Sequence, residues 1–360
     1  MKLLKRSTLI MITFMIITTL ICTIQNNFYI NSISAIGNPP RAGVLLFNFN
    51  DPYMSLVKQS LENIGKENPN KIRFSFYDAM DNQSTQNATI GNLINNNAVD
   101  LLLVNLVDTK QSTVSDIIEK ASEKNIPLIF FNIDLPIDVN TNYKKVFVVA
   151  TESENGGIIQ GKILLNLWNN NKKNIDKNND NILQYIMLQG KTNNESAILR
   201  TKYSISTLND NSVKTEELAL NICNWDQDCA KNAISSLFLK YDGKIEAIIS
   251  NNDAMAVGAI EALQAYGYNK GDKTKIIPVV GVDAIPEAKD LIKKGFMAGT
   301  VAQDSNELAN ALYSIGLNFV YNRDPLTGTD YKLYKEGVIR LPYYEYIPSR
   351  KYVVNSLPLL

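Results

Sequence analysis

The sequence predicts an α/β protein of two doubly wound, parallel-sheet lobes, and three observations carry that prediction. First, short runs that are apolar throughout alternate with amphipathic stretches: AGVLLFN (42–48), KIRFSFY (71–77), DLLLVN (100–105), IPLIFF (126–131) and VFVVA (146–150), separated by helical patterns such as MSLVKQSLENIGKE. Strands apolar on both faces and joined by helices belong to a parallel sheet covered on both sides. Second, the alternation restarts after residue 151, with ILQYIML (182–188), VKTEELAL (213–220), IEAIIS (245–250), IIPVVGV (276–282) and MAGTVA (297–302). Third, ten such strands are too many for one compact sheet in a chain of 360 residues, so they divide into two lobes. The helix after Asp304 is expected to return to the first lobe.

Composition narrows the function classes. A hydrophobic content of 45% with 20% charged residues describes an ordinary globular protein, and a formal net charge of zero gives nothing global to attract nucleic acid or anionic lipid. No histidine occurs, which removes His-based triads, most zinc sites and the usual near-neutral general base. The chain contains neither G-x-S-x-G nor a Gly-rich dinucleotide fingerprint after a strand. GGIIQGKI (156–163) has Gly156, Gly161 and Lys162 at phosphate-loop spacing, but Ile163 stands where a magnesium-binding hydroxyl is needed. That stretch reads instead as a helix start with close backbone approach.

The N-terminus places three basic residues before an uncharged run from Ser7 to Asn27, the layout of a secretory signal. Residues 1–35 are therefore read as a signal peptide or membrane anchor. Three outcomes fit: cleavage near Ser32–Ala35, lipid attachment at Cys22, or retention as an anchor. Only Cys223 and Cys229 remain in the mature chain, flanking NWDQD, and an oxidising compartment allows either a short disulfide or two buried thiols.

Doubly wound sheets bind ligands beyond the carboxyl ends of their strands. The polar residues directly after the apolar runs are Asp51 and Tyr53, Asn105 and Asp108, Asn132, Asn252 and Asp253, Asp283, and Gln303 with Asp304. Amides and single carboxylates near aromatics suit a ligand rich in hydroxyl groups. The competing role is helix N-capping, for which Asp and Asn are common. A separate pattern lies in DKNNDNILQ (176–184), which puts oxygen-bearing side chains at positions 1, 3, 5 and 9 of a calcium-loop spacing. Position 12, where a bidentate Glu is needed, is Met187. A solvated turn, a broken metal site, and a metal site whose last ligand lies elsewhere all fit that stretch.

FNFNDPYMSLV, DNQSTQNATI, VNLVD, IPLIFFN, ESENGGIIQGK, SNNDAMAVGAIEAL and GVDAIPEA together resemble the periplasmic galactose/glucose-binding proteins of sugar ABC transporters, over residues 42 to about 345. The resemblance implies a type I periplasmic-binding fold with a three-crossing hinge. Its lobes are 42–151 plus 304–339, and 152–303 plus 340–360. It implies capture of one monosaccharide, a galactose- or glucose-like hexose, for delivery to a membrane permease. It implies no catalysis, no nucleic acid, a monomer, and a periplasmic or cell-surface location. A chemoreceptor or sensor kinase reading the closed form is the alternative partner, and an enzyme acting on a sugar is the alternative from another class.

Carried over position by position, the resemblance places aromatic plates at Tyr53 and Trp225 and polar contacts at Asp51, Asn132, Arg200, Asn252 and Asp283. Three positions depart from the family pattern: Asn194 stands where His is expected, Ser196 where Asp is expected, and Gln303 where Asn is expected. A buried charge-assisted bond of the missing kind is worth roughly 1.5–3 kcal/mol, tenfold or more in affinity. Glu195 is one residue from compensating. The resemblance also implies a structural calcium ion on the second lobe, held by Asp176, Asn178, Asp180, the carbonyl of Ile182 and Gln184, with Glu246 as the distant last ligand. Asn181 replaces the turn glycine of such loops, and Asn tolerates positive φ best after glycine.

Overall fold

The computed structural model describes residues 38–348 apart from 135–138, 140, 141 and 242. The basic-then-apolar N-terminus, Cys22, Ser32–Ala35 and residues 349–360 lie outside the described residues. The chain begins β1 (Arg41–Leu46), α1 (Pro52–Glu67), β2 (Arg73–Asp78), α2 (Gln83–Asn95), β3 (Leu101–Val104), α3 (Gln111–Glu123), β4 (Leu128–Phe131) and β5 (Val146–Thr151). It continues α4 (Ser153–Ile175), β6 (Ile182–Gln189), α5 (Glu195–Asp210), β7 (Lys214–Ile222), α6 (Gln227–Lys240), β8 (Ala247–Ser250), α7 (Asp253–Ala265), β9 (Val279–Asp283), α8 (Pro286–Lys293) and β10 (Gly299–Ala302). It ends α9 (Ser305–Val320), β11 (Leu333–Lys335), β12 (Val338–Leu341) and β13 (Tyr344–Glu345).

Two sheets result, in the orders β11-β12-β5-β4-β3-β1-β2 and β13-β10-β9-β8-β6-β7. All pairings are parallel except those of the edge strands β11 and β13. Parallel pairing requires helical crossovers, and these cover both faces. The interior strands β3 and β4, Leu-Leu-Leu-Val and Leu-Ile-Phe-Phe, are accordingly buried at every position. At the edge, β2 carries Arg73 exposed and Ser75 exposed between half-buried Phe74 and Phe76.

The chain passes between the sheets after Thr151, after Ala302 and after Leu341. The helix following Asp304 packs back on α1, where Ser60 Oγ donates to Asn306 Oδ1 at 2.8 Å. One boundary differs from the sequence-based expectation. Arg340 and Leu341 pair with Ala150 and Thr151 in the first sheet, so the last crossing falls after Leu341 rather than before Arg340. Strands β11, β12 and β13 have three, four and two residues, too short to leave a periodic signal.

GGIIQGK proves to be the contact face between α4 and α5. A Cβ on Gly157 would lie 2.8 Å from the Arg200 carbonyl, and one on Gly161 would lie 2.6 Å from the Ser204 carbonyl and 2.7 Å from Thr207 Cβ. The two backbones therefore touch, which only residues lacking a side chain allow. For Gly161→Ala, the gain in helix propensity is about 1 kcal/mol. Overpacking against an immovable backbone oxygen costs about 1–3 kcal/mol, and it acts at two contacts. The variant is expected to melt a few degrees lower in a circular-dichroism thermal scan; an unchanged or raised Tm contradicts the close approach.

Candidate functional site: the interlobe cleft

The carboxyl ends of the two sheets face each other across a cleft with about 60 Å³ of water-accessible space. Asp51, Tyr53 and Asn132 line it from the first lobe, and Asn194, Ser196, Arg200, Trp225, Asn252 and Asp283 from the second. Gln303 does not line this space. It lies on the second crossing, where its amide donates to Asn132 Oδ1 and its oxygen accepts from Arg200 at 3.5 Å. Sequence reasoning missed Phe47 and Lys191, which also line the cleft.

Arg200 is the central group of the cleft. It is 5% exposed, and α5 delivers it because the glycine face of α4 lets that helix approach. Nη1 donates to the Asn251 carbonyl at 2.8 Å and Nη2 to the Tyr343 hydroxyl at 2.5 Å. The guanidinium lies 5.7 Å from the Trp225 ring centroid and 5.5 Å from that of Tyr343, a cation–π arrangement. Its Nε is buried without a hydrogen-bond partner. An unmet donor on a buried cation costs free energy unless a ligand accepts from it.

Tyr343, which no sequence signal pointed to, sits on the third crossing between β12 and β13. Its hydroxyl also meets Thr151 Oγ1 at 2.8 Å and Gln303 Oε1 at 3.4 Å. One phenol thereby joins all three crossings to Arg200. The Tyr53 hydroxyl is likewise buried without a well-directed partner, in the field of Asp283 and Tyr343.

The carboxylates are held in unusual states. Burial pushes Asp51 up to about 6, against hydrogen bonds from the Met54 and Tyr53 amides. Burial raises Asp283 well above the carboxylate range, with Arg200 opposing and Asp253 and Asp51 adding. Asp253 is pushed up to about 7, also by burial, and it braces the site from behind. It accepts from Thr300 Oγ1 at 2.6 Å and from the Ile285 amide at 3.0 Å. Asp283 and Ala284 have φ of 118° and 55°; side-chain-bearing residues hold such values only where the surroundings over-determine them.

Capping and site roles overlap. Asp51, Asn194 and Asn252 each accept from a backbone amide three residues on, at 2.8, 3.1 and 3.1 Å. Asp304 caps α9 and does not line the cleft. Asn105 ties strand ends together, accepting from the Phe47 amide and donating to the Phe131 carbonyl. At the departing positions, Ser196 is buried and lines the cleft. Glu195 is only half-buried in the first turn of α5 and does not line the cleft, so it does not take the place of the missing carboxylate.

The lobes also meet directly. Lys191 Nζ pairs with Asp81 and donates to the Val107 carbonyl at 3.2 Å, while Thr109 Oγ1 donates to the Asn193 carbonyl at 3.2 Å. These contacts bridge the lobes beside Phe47, over whose ring Lys191 lies at 5.2 Å.

Trp225 stands on the turn between β7 and α6. Asn224 and Trp225 both have positive φ, 52° and 73°, and the Asp226 amide donates to the Cys223 carbonyl at 2.8 Å. That is the pattern of a type I′ turn, whose second central position normally holds glycine; a bulky residue there costs about 1–3 kcal/mol. Cys223 and Cys229 are joined in a disulfide across this turn, with Cα atoms 5.4 Å apart.

On the far end of the second lobe, the loop 176–184 is compact. Asp176 accepts from the amides of Asp180 and Asn181, and Asp180 Oδ2 accepts from Asn178 and Gln184 at 2.8 Å each. Glu246, one residue before β8, reaches it: its carboxylate accepts from the Lys177 amide at 2.6 Å and the Gln184 amide at 3.1 Å. Asn181 has φ of 64°, as a turn at that position requires. Met187 is fully buried in the core of the lobe. Among the described residues, no three His, Cys, Asp or Glu side chains are gathered tightly enough to form a ready-made metal centre.

The sequence profile of the periplasmic binding protein domain matches residues 42–322. The D-galactose/methyl-galactoside binding periplasmic protein of Haemophilus influenzae is 36% identical over 304 residues, 84% of this chain and 88% of that protein. A putative rhizopine-binding protein of Rhizobium meliloti is 25% identical over 274 residues, 76% of this chain and 82% of that protein. Among solved structures, an ABC transporter solute binding protein from Bacillus halodurans with bound myo-inositol superposes with a TM-score of 0.68 at 25% identity, covering 86% of this chain and 95% of that one. These relatives are solute-binding proteins and not enzymes. With two crossed α/β lobes and a profile match across both, the chain belongs to the periplasmic binding protein family.

Proposed function

We propose that this protein captures a single hexose-like sugar between its lobes outside the cytoplasm and presents the closed form to the permease of an ABC transporter. One observation carries the reading. Asp51, Asn252, Asp283 and the unpartnered Nε of Arg200 converge on one cleft, with Trp225 and Tyr53 supplying aromatic surface. Hydroxyl groups pair with carboxylates, amides and guanidinium, and the apolar face of a pyranose stacks on an aromatic ring. The relative that binds D-galactose supports the choice of sugar. Ser196 and Asn194 replace groups the galactose/glucose pattern expects, which favours a hexose lacking a hydroxyl that needs a carboxylate at that corner. One chain supplies both cleft walls, which supports action as a monomer. The same closure serves a membrane receptor that reads the closed form. The basic-then-apolar N-terminus supports export. Among the described residues, no helix is long and apolar enough to cross a membrane.

The loop 176–184 is proposed to hold a structural calcium ion through Asp176, Asn178, Asp180, the Ile182 carbonyl, Gln184 and Glu246. What fits is the donor set. The Asn178 and Gln184 amides both face Asp180, and a half-turn of each presents oxygen in place of nitrogen. Burial raises the Glu246 carboxyl, and Asp176 and Asp180 raise it further. A divalent cation offsets that repulsion and takes six to eight oxygens. The ion stabilises the loop and takes no part in sugar capture.

Three outcomes are expected. Titrating the mature protein with D-galactose, D-glucose, D-allose and myo-inositol by calorimetry should give saturable binding to at least one. Asp283→Ala should weaken that binding tenfold or more (about 1.5–3 kcal/mol per charge-assisted bond) at nearly unchanged Tm; no binding at millimolar concentration sinks the sugar reading.

Because Asp51 must be ionised to accept from two hydroxyls, affinity should weaken about tenfold between pH 7 and pH 5, the span over which a carboxyl near 6 takes up its proton. The empty protein should behave oppositely. The folded carboxyl keeps a proton that the unfolded chain releases first, so stability from this group falls as pH rises from about 4 to 6 and is constant above. A flat affinity profile contradicts the role.

Chelation with EDTA should lower Tm, and Glu246→Gln should remove that dependence. If chelation leaves the wild-type Tm unchanged, the loop is a solvated turn.

A further inference from the structure

We propose that the Cys223–Cys229 disulfide is a positioning element for the ligand: it holds Trp225 on the cleft, so its reduction weakens capture without dismantling the lobe. The inference rests on the sugar-cleft reading for its ligand, but not for its geometry.

The turn Cys223-Asn224-Trp225-Asp226 carries two consecutive residues in the left-handed region. Asn tolerates that region and Trp does not. Left to itself, the turn relaxes by bringing Trp225 to negative φ, which swings the indole off its present place. That place is sharply defined. The ring lies so close over Gly190 that a Cβ there would be 2.3 Å from Cη2 and Cζ2, and its other neighbour is the Arg200 guanidinium. Non-covalent restraints on the turn include its own Asp226 amide bond to the Cys223 carbonyl at 2.8 Å and the packing of Trp225 against the apolar core. The Asn252 amide donates to the Trp225 carbonyl at 3.3 Å, and Asp226 accepts from the Cys229 amide at 2.7 Å in capping α6. Asn224 and Asp226 are exposed.

The disulfide closes the circuit. Cys223, buried, is fixed to the end of β7, where its amide donates to the Gln189 carbonyl. Cys229 is fixed in the first turn of α6. A covalent bond across five residues leaves the intervening backbone little room to leave the strained turn. Lobe stability does not hang on the same bond, because α6 packs on α7 and β7 pairs with β6 independently.

Three preparations test this in a Trp168→Phe background, which makes Trp225 the only tryptophan. They are the oxidised protein, the same protein in dithiothreitol, and Cys223→Ser/Cys229→Ser. Acrylamide quenching of Trp225 reads its placement without any sugar. Calorimetry with D-galactose, D-glucose, D-allose and myo-inositol reads affinity, and circular dichroism reads Tm. Loss of the disulfide is expected to raise quenching and to weaken Kd about three- to tenfold, the range of one aromatic contact. In Trp225→Ala, whose affinity is already reduced, Kd should no longer respond to reduction. A lower Tm with quenching and Kd unchanged overturns the proposal and makes the bond a brace for the fold. Retained redox sensitivity of Kd in Trp225→Ala overturns it as well. If no sugar binds the oxidised protein, the ligand reading fails, and quenching alone decides whether the disulfide places Trp225.

Discussion

The buried guanidinium of Arg200 is the constraint around which the rest of this protein is arranged. A cation taken out of water is tolerated only if its donors are met and its charge is balanced. Here the surroundings meet most of its donors and leave Nε unpartnered. The Asn251 carbonyl comes from the end of β8, the Tyr343 hydroxyl from the third crossing, and two aromatic rings bracket the plane. The helix that carries Arg200 can stand where it does because Gly157 and Gly161 let α4 touch its backbone. A packing detail on the outside of the second lobe thus sets the geometry of the cleft.

The same logic extends to charge. Asp51 and Asp283 approach from opposite lobes, and burial favours the protonated form of both, with the Arg200 charge opposing it. Arg200 lowers both carboxyls, and Asp51 adds to the rise of Asp283. Lys191–Asp81, Thr109–Asn193 and Gln303–Asn132 are among the direct contacts between the two lobes. Tyr343 places a single hydroxyl where the crossings and the cleft meet, so movement at the crossings is felt at Arg200.

Several positive-φ residues border the cleft. Asn132, Trp225, Asp283 and Ala284 all have positive φ, and each lies at or beside the carboxyl end of a strand. Asp283 and Ala284 lead directly into α8, and the Cys223–Cys229 bond spans Trp225. At the opposite end of the second lobe, Asn181 adopts the same region, since Asn is suited to it and the loop's own hydrogen bonds favour it.

Much of this was legible in the sequence. Apolar runs of fixed length gave the two sheets, because strands covered on both faces must be apolar throughout. The residues directly after those runs gave Asp51, Asn132, Asn252 and Asp283, because parallel sheets gather strand ends on one side. The resemblance of scattered motifs added Arg200 and Trp225. What the sequence could not supply were contacts between segments far apart in the chain: Tyr343 on Arg200, Lys191 on Asp81, and Gly161 under Ser204. It could not show that Asn105 ties strand ends together while also lining the cleft, that Glu195 does not line the cleft, or that Cys223 and Cys229 are joined. Periodicity is a local property fixed by which face of each element is buried, and it was enough to determine the architecture. Which side chains meet depends on how crossovers and crossings superimpose distant elements in space, and only the tertiary structure decided that.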